Sequence, residues 1–330
     1  MKAVRLYARG DLRVEDIAPP AAPQPGWVNL AVTAAGICGS DLHNFRTGQW
    51  ISRSPSVPGH ELIGRVTALG DGVAGLSIGD RVVADSRVWC GACPACKAGN
   101  HHLCATLGFV GEVCDGGFAE HTSLPHRLLH RLPEDLPDDA AVMAEPVAVA
   151  LHAVRRLRPD PNAPVLIAGC GPIGGLAALV LAANGHTDIR VADRNPQRLA
   201  RVCEVTGARP VTLDPGAPGT DVSFAIEATG STAALTSLMG CMAGGGAIAL
   251  VGITHGHIDL DPNLLVEREV SLIGCHAFRN ELPEAISLLL NHAATAIRLI
   301  DAVVTIAEVP QAYDRLIAGS SDGLKTIVRP

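Results

Sequence analysis

The chain of 330 residues is 48% hydrophobic and carries a formal net charge of −7, which provides material for a large core and a length suited to about two domains. No block of like charge or basic stripe occurs, and no uninterrupted apolar run is long enough to span a bilayer, so neither nucleic acid nor a membrane is an expected partner. Ten cysteines, four of them between Cys90 and Cys104, pose a choice between disulfides and metal.

The opening, MKAVRLYARGDLRVED, alternates like a strand and carries charges where a signal peptide has its apolar region. This favours metal binding in a reducing compartment, and the expected location is cytoplasmic. Short strands and the proline-rich turn APPAAPQPGW fill residues 1 to about 35 and carry no chemistry. Next comes Gly36-Ile37-Cys38-Gly39-Ser40-Asp41-Leu42-His43, in which a thiol, a hydroxyl, a carboxylate and an imidazole follow one another on a turn or short helix. A lone cysteine is more often a buried thiol, but the stretch VPGHELIGRVTALGDGV, Val57 to Val73, supplies partners. It sets His60 beside Glu61 at a turn between extended segments, with Gly59, Gly64 and Gly70 where a Cβ would obstruct the backbone. A zinc site is expected, with Cys38 upstream and Glu145 downstream as further candidates.

Valines alternating with glycine turns from Gly64 through Asp85 read as the short strands of a small β-barrel-like scaffold. The scaffold leads into Cys90, Cys93, Cys96 and Cys104, a C-x2-C-x2-C-x7-C spacing. Four thiolates so close can enclose one tetrahedral zinc, leaving no position for substrate, so the role is structural. A redox dithiol would need a pair on a βα turn. His101 and His102 read as surface residues of this loop. Composition becomes helix-like at Asp138, which places Glu145 and His152 on a helix with Pro146 near its start. A glutamate in so apolar a segment should pair with a metal or an arginine; His152 reads as a packed or hydrogen-bonded core histidine.

Val165 to Ala168 reads as a buried parallel strand ending in Gly169-Cys170-Gly171-Pro172-Ile173-Gly174, a G-x-G-x-x-G at a strand-to-helix junction. The helix GLAALVLAANGH and the strand Asp188 to Ala192 follow, and Asp193 stands 19 residues past Gly174. This is the dinucleotide fingerprint in its required setting: the glycines make the turn, admit pyrophosphate and pack helix on strand. Asp193 should bond the adenine ribose hydroxyls and repel a 2′-phosphate, favouring NAD over NADP; the neighbouring Arg194 could stack on adenine or accept a phosphate. Further βα units through DVSFAIEATG, GGGAIALVGI and VSLIGCHAF complete a six-stranded doubly wound sheet, with Thr229, Val251 and Gly252 at strand ends against the cofactor. From about Phe278 a helix-strand-helix-strand pattern is expected to rejoin the first unit.

Together these motifs resemble the zinc-containing medium-chain dehydrogenase/reductase family, nearly end to end. Gly59 to Val73 fits its G-H-E-x2-G-x5-G-x2-V signature at every fixed position, and MAEPVAVALHAV and REVSLIGCHAFRNELPEAISLL are similar to its polyol branch of sorbitol, xylitol, L-idonate and butanediol dehydrogenases. The resemblance implies an α/β fold, with a doubly wound Rossmann sheet over 146–278 and a mainly β, GroES-like catalytic unit over 1–145 plus 279–330 that carries the structural zinc lobe 88–105. It implies two zinc ions per chain. Cys38, His60, Glu61 and Glu145 become candidates for the catalytic one and Cys90, Cys93, Cys96 and Cys104 for the structural one. Ser40 and His43 become a proton relay, and a homotetramer or homodimer acting on a small molecule is implied. The expected reaction oxidises a secondary hydroxyl of a polyol or sugar acid, with NAD as hydride acceptor. Arg279, Asn280 and Glu281 are expected at the substrate, where Arg279 could pair with a sugar-acid carboxylate. The alternatives are a butanediol/acetoin or threonine dehydrogenase, or a zinc-stabilised NAD sensor, which would not need Cys38, His60 and Ser40 together.

Overall fold

The computed structural model describes residues 1–214, 216, 217, 220–254 and 256–330. Its first large sheet is built on β1 (Trp27–Gly36), whose alternating sequence buries Val28, Leu30 and Val32 and turns the residues between them outward. After the short helix α1 (Gly39–Thr47), β2 (Glu61–Leu69) returns antiparallel to β1, with Glu61 opposite Gly36. β3 (Arg81–Ala84) extends the sheet from β2, β4 (His121–Pro125) pairs with β1, and β5 (Leu129–Arg131) pairs with β3.

The chain then crosses through helix α2 (Ala144–Leu157) to the second sheet. Here β6 (Val165–Ala168) is buried at every residue, as a central parallel strand must be. It feeds α3 (Pro172–Ala183), and β7 (Ile189–Ala192), β8 (Arg209–Pro210), β9 (Val222–Glu227), β10 (Met242–Leu250) and β11 (Ser271–Gly274) follow. All pairings are parallel, in the order β8-β7-β6-β9-β10-β11. That is the doubly wound arrangement, and its order reverses between β6 and β9, where such a sheet opens a crevice for ligand. The fold is thus α/β, a Rossmann sheet joined to a separate GroES-like β unit. Past α4 (Leu282–Ile297), β12 (Ile300–Thr305) and β13 (Lys325–Arg329) return to the first sheet, where β13 pairs with the end of β1 through Ile327 and Gly36.

α2 touches β2 and β3 of the first sheet as well as α3 and α4. One core therefore runs through both units, joining Ala34, Ile63 and Val83 to Val147, Leu151, Leu176 and Val180. His152 is buried on this helix with Nδ1 3.1 Å from Glu281 Oε1. The expectation for His102 was wrong. It is buried, its ring 5.3 Å from that of His152, because the cysteine loop folds back onto α2. Among the described residues no helix is long and apolar enough to cross a membrane.

Candidate active site

Because β1 ends opposite the start of β2, Cys38, two residues beyond β1, meets His60 and Glu61. One ligand atom from each of the three lies within 4.8 Å of the others. Gly36 is required there, since a Cβ would collide with the Glu61 carboxylate. Asp41, in the first turn of α1, takes the Cys38 backbone N–H at 2.9 Å and lies 3.5 Å from His60 Nδ1, so it orients thiol and ring together. Burial works against a charged His60, but Asp41 and Cys38 outweigh it and hold its pKa well above the ordinary histidine value. Both Glu61 oxygens accept from Lys325 Nζ, at 2.6 and 2.5 Å, and the same ammonium reaches the Ile37 carbonyl at 3.1 Å. Glu145 stands apart from the trio in the first turn of α2. Ser86 Oγ donates to it at 2.6 Å, and burial pushes its pKa up, with His60 opposing and Glu61 adding. A thiolate, an imidazole and a carboxylate converging at this distance suit zinc.

The four loop cysteines also converge, all ligand atoms lying within 4.8 Å of one another. Cys90 Sγ is 3.5 Å from Cys104 Sγ and 4.0 Å from Cys96 Sγ, close to the roughly 3.8 Å edge of a tetrahedron with zinc–sulfur bonds near 2.3 Å. Backbone N–H groups of Ala92 and Cys93 lower the Cys90 pKa to about 6, favouring the thiolate, whereas burial pushes Cys96 up to about 12.

At the crevice of the second sheet Gly169 takes a φ of 99°, and a Cβ at Gly174 would collide with the Gly169 carbonyl, so helix and turn sit in direct contact. Gly171 has open space on its Cβ side, the approach a pyrophosphate needs, and Pro172 opens α3. The Asp193 carboxylate, past the end of β7, accepts from Cys170 N at 2.6 Å and Asn195 N at 2.7 Å, while Arg194 is exposed. Buried Glu227 holds the opposite wall: its side chain accepts from Thr229 N at 2.7 Å and its carbonyl from Val251 N and Gly252 N at 3.0 and 3.1 Å. A cavity of about 280 Å³ joins Ser40, His43 and Glu61 to Ile173, Thr229 and Gly252. His43 is buried against Trp50, with Nε2 2.8 Å from Gln49 Oε1. A second cavity, of about 430 Å³, holds Cys38, Ser40, His60, Glu112 and Glu145 and shares Cys38, Ser40, Ile173, Val251 and Ile253 with the first.

Residues 24–134 match the alcohol dehydrogenase GroES-like domain and residues 172–291 the zinc-binding dehydrogenase domain. L-threonine 3-dehydrogenase of Deinococcus deserti is 32% identical, covering 91% of each chain. The chain belongs to the zinc-containing medium-chain dehydrogenase/reductase family. Sorbitol dehydrogenase of Bacillus subtilis is 29% identical over 100% of this chain and 97% of its own. The crystal structure of 2R,3R-butanediol dehydrogenase from Bacillus subtilis superposes with a TM-score of 0.90 at 30% identity, covering 100% of this chain and 99% of that one. By this kinship the chain is an enzyme of the family's polyol branch, an alcohol/polyol dehydrogenase of the zinc-dependent type acting on a small molecule.

Several residues of this dehydrogenase's site escape a reading of the sequence. Lys325 lies 264 positions from Glu61 and Ser86 lies 59 from Glu145, so no local spacing connects them; the one available signal was a lysine inside the apolar strand LKTIVR. Glu112, in a loop, had no signal. Arg279, Asn280 and Glu281 are not with the trio. They line a separate cavity of about 590 Å³ with His102, His152 and Arg155, because Glu281 turns inward to His152 and takes the backbone N–H groups of Arg279 and Asn280 at 2.5 and 2.8 Å.

Proposed function

We propose that this enzyme oxidises a secondary hydroxyl of a polyol or sugar acid, of the sorbitol or L-idonate type, and passes the hydride to NAD. The observation carrying the proposal is that the two cavities meet at Cys38, with His60 lining one and Glu61 the other, so that the trio borders the nucleotide crevice. Bound zinc would supply a Lewis acid for the substrate hydroxyl and bound NAD the hydride acceptor.

The chain's residues do the rest. Cys38, His60 and Glu61 hold the metal, with Glu145 as a fourth candidate; Lys325 fixes the Glu61 carboxylate, and Asp41 fixes His60. Ser40 and His43 line the cavity beside the crevice and carry the substrate proton outward. Asp193 bonds the adenine ribose and favours NAD over NADP, with Gly169, Gly171, Pro172, Ile173 and Gly174 around the pyrophosphate. Cys90, Cys93, Cys96 and Cys104 hold a second, structural zinc in the lobe 88–105. We further read 1–145 plus 279–330 as the catalytic domain and 146–278 as the NAD domain, in a cytoplasmic homotetramer or homodimer.

Steady-state turnover of the zinc-loaded protein, with NAD and then NADP, across polyols, sugar acids, simple alcohols and threonine tests the reading. The expected result is the highest kcat/KM with a polyol or sugar acid and NAD. A simple alcohol exceeding every polyol and aldonate, or no turnover at all, overturns it.

A further inference from the structure

The cavity lined by Cys38 and His60 has two carboxylates in its wall, Glu112 and Glu145, and they are not equivalent. Glu145 is engaged by Ser86. The Glu112 side chain has no hydrogen bond or ion pair among the described residues, although its backbone is pinned on both sides: its N–H donates to the Phe109 carbonyl at 3.0 Å and its carbonyl accepts from Ser52 Oγ at 3.2 Å. The loop around it is closed by Gly111 N to Cys114 O at 2.8 Å, so the carboxylate is delivered to the cavity by a fixed turn. Burial pushes its pKa up to about 7, against the pull of His60 and with a further push from Asp41, as befits a carboxyl with no donor to compensate it. No lysine or arginine is among the described residues lining this cavity, and its remaining wall is largely apolar, with Trp50, Leu107, Phe109 and Val149. Arg279, the cation that would have suited a sugar acid, opens onto the other cavity.

We propose that Glu112 selects the substrate by charge: its carboxylate accepts a hydrogen bond from a hydroxyl or ammonium group near the reacting carbon and excludes carboxylate- and phosphate-bearing compounds. The substrate class narrows to neutral polyols and diols or amino alcohols. This inference rests on the proposed dehydrogenase reading. An anionic substrate would lie beside a like charge in a partly desolvated space, where repulsion is strong and no lysine or arginine among the described lining residues offsets it. A neutral polyol instead supplies the missing donor, and an ammonium group supplies donor and opposite charge together.

The test uses the zinc-loaded enzyme with two six-carbon probes, sorbitol and D-gluconate, which differ in having a hydroxymethyl or a carboxylate at one end, together with L-threoninol, an amino alcohol without a carboxylate. Binding is measured at about pH 8, above the raised Glu112 value so that the carboxylate is ionised, by titration calorimetry in the presence of NADH, and turnover with NAD is measured in parallel, for wild type, Glu112→Gln and Glu112→Ala. Wild type should bind sorbitol at least about tenfold more tightly than gluconate, and Glu112→Gln should shrink that ratio by about tenfold, mostly by admitting gluconate. If the natural partner of Glu112 is an ammonium, threoninol binding should fall by about tenfold in Glu112→Gln with sorbitol little changed; if it is a hydroxyl, Glu112→Ala should weaken sorbitol by about tenfold and Glu112→Gln much less. A selectivity ratio the same in all three proteins, a wild type that prefers gluconate, or a wild type that binds neither sorbitol nor threoninol overturns the role of Glu112. Turnover present with an unchanged ratio overturns Glu112 alone. A ratio that collapses as expected in a protein without turnover upholds Glu112 and overturns the dehydrogenase reading.

Discussion

Lys325 and Glu61 are both essentially inaccessible, and neither would be tolerated as an ion without the other. Burial works to lower the Lys325 pKa, but Glu61 and Cys38 beside it keep it raised, so the ammonium stays charged. Lys325→Met should therefore destabilise the protein by about 3–5 kcal/mol, since it strands a buried carboxylate, whereas Lys325→Met with Glu61→Gln should recover a large part of that loss. Urea unfolding of the two variants checks this; equal losses would mean that the pair is not coupled. Asp193 makes a different kind of contact. Its oxygens already accept Cys170 N and Asn195 N, which aims the remaining lone pairs at the crevice. Asp193→Ala should weaken NAD by about 1–3 kcal/mol and narrow or reverse the preference over NADP, measured by fluorescence titration with both nucleotides. A wild type that prefers NADP would refute this account.

Among the elements, the cysteine lobe contributes little to the core: Cys90 is exposed, and only Cys96, His102 and Cys104 of this segment are buried. Such a segment is expected to depend on its metal. Metal analysis should give two zinc ions per chain, and Cys93→Ala should release one and expose 88–105 to protease, while Cys38→Ala should abolish turnover with the lobe still protected. Retention of two zinc ions by Cys93→Ala would contradict this. The junction of α2 with the start of α4 is held instead by Glu281. Burial opposes its ionisation, yet the His152 hydrogen bond and the Arg279 backbone N–H hold its pKa down to about 2. A depressed carboxyl stabilises the fold above its unfolded value, near 4.3, and that contribution, about 1–3 kcal/mol, is lost as pH falls from about 5 toward 2. Wild type should lose its stability advantage over Glu281→Gln across that window, as read from unfolding midpoints at successive pH values; a constant difference would remove Glu281 as the cause.

At the scale of the whole molecule, one core passes through α2 into both units, so the metal trio and the nucleotide crevice are fixed relative to each other by packing as well as by the chain. Ligand bound in the crevice should then stabilise the molecule as a unit. NAD at about 100 times its Kd should add about 2.7 kcal/mol in a single cooperative transition, seen by calorimetry, with a smaller gain for Asp193→Ala at the same concentration. A shift confined to one of two separate transitions would show that the units unfold independently. The sequence by itself determined whatever depends on short spacing: the strand-turn-helix at Gly169 to Gly174, the quartet from Cys90 to Cys104, the GHE turn, and through these the fold class and the reaction class. Such features are legible because backbone conformation and metal-ligand spacing are set within a few residues. Only the tertiary structure decided that Lys325 locks Glu61, that Ser86 engages Glu145, that Glu112 lines the cavity of Cys38 and His60 and that Arg279 opens onto another cavity. Those partners lie on elements distant in sequence, and whether a charged side chain is paired, buried or exposed depends on which distant element packs against it.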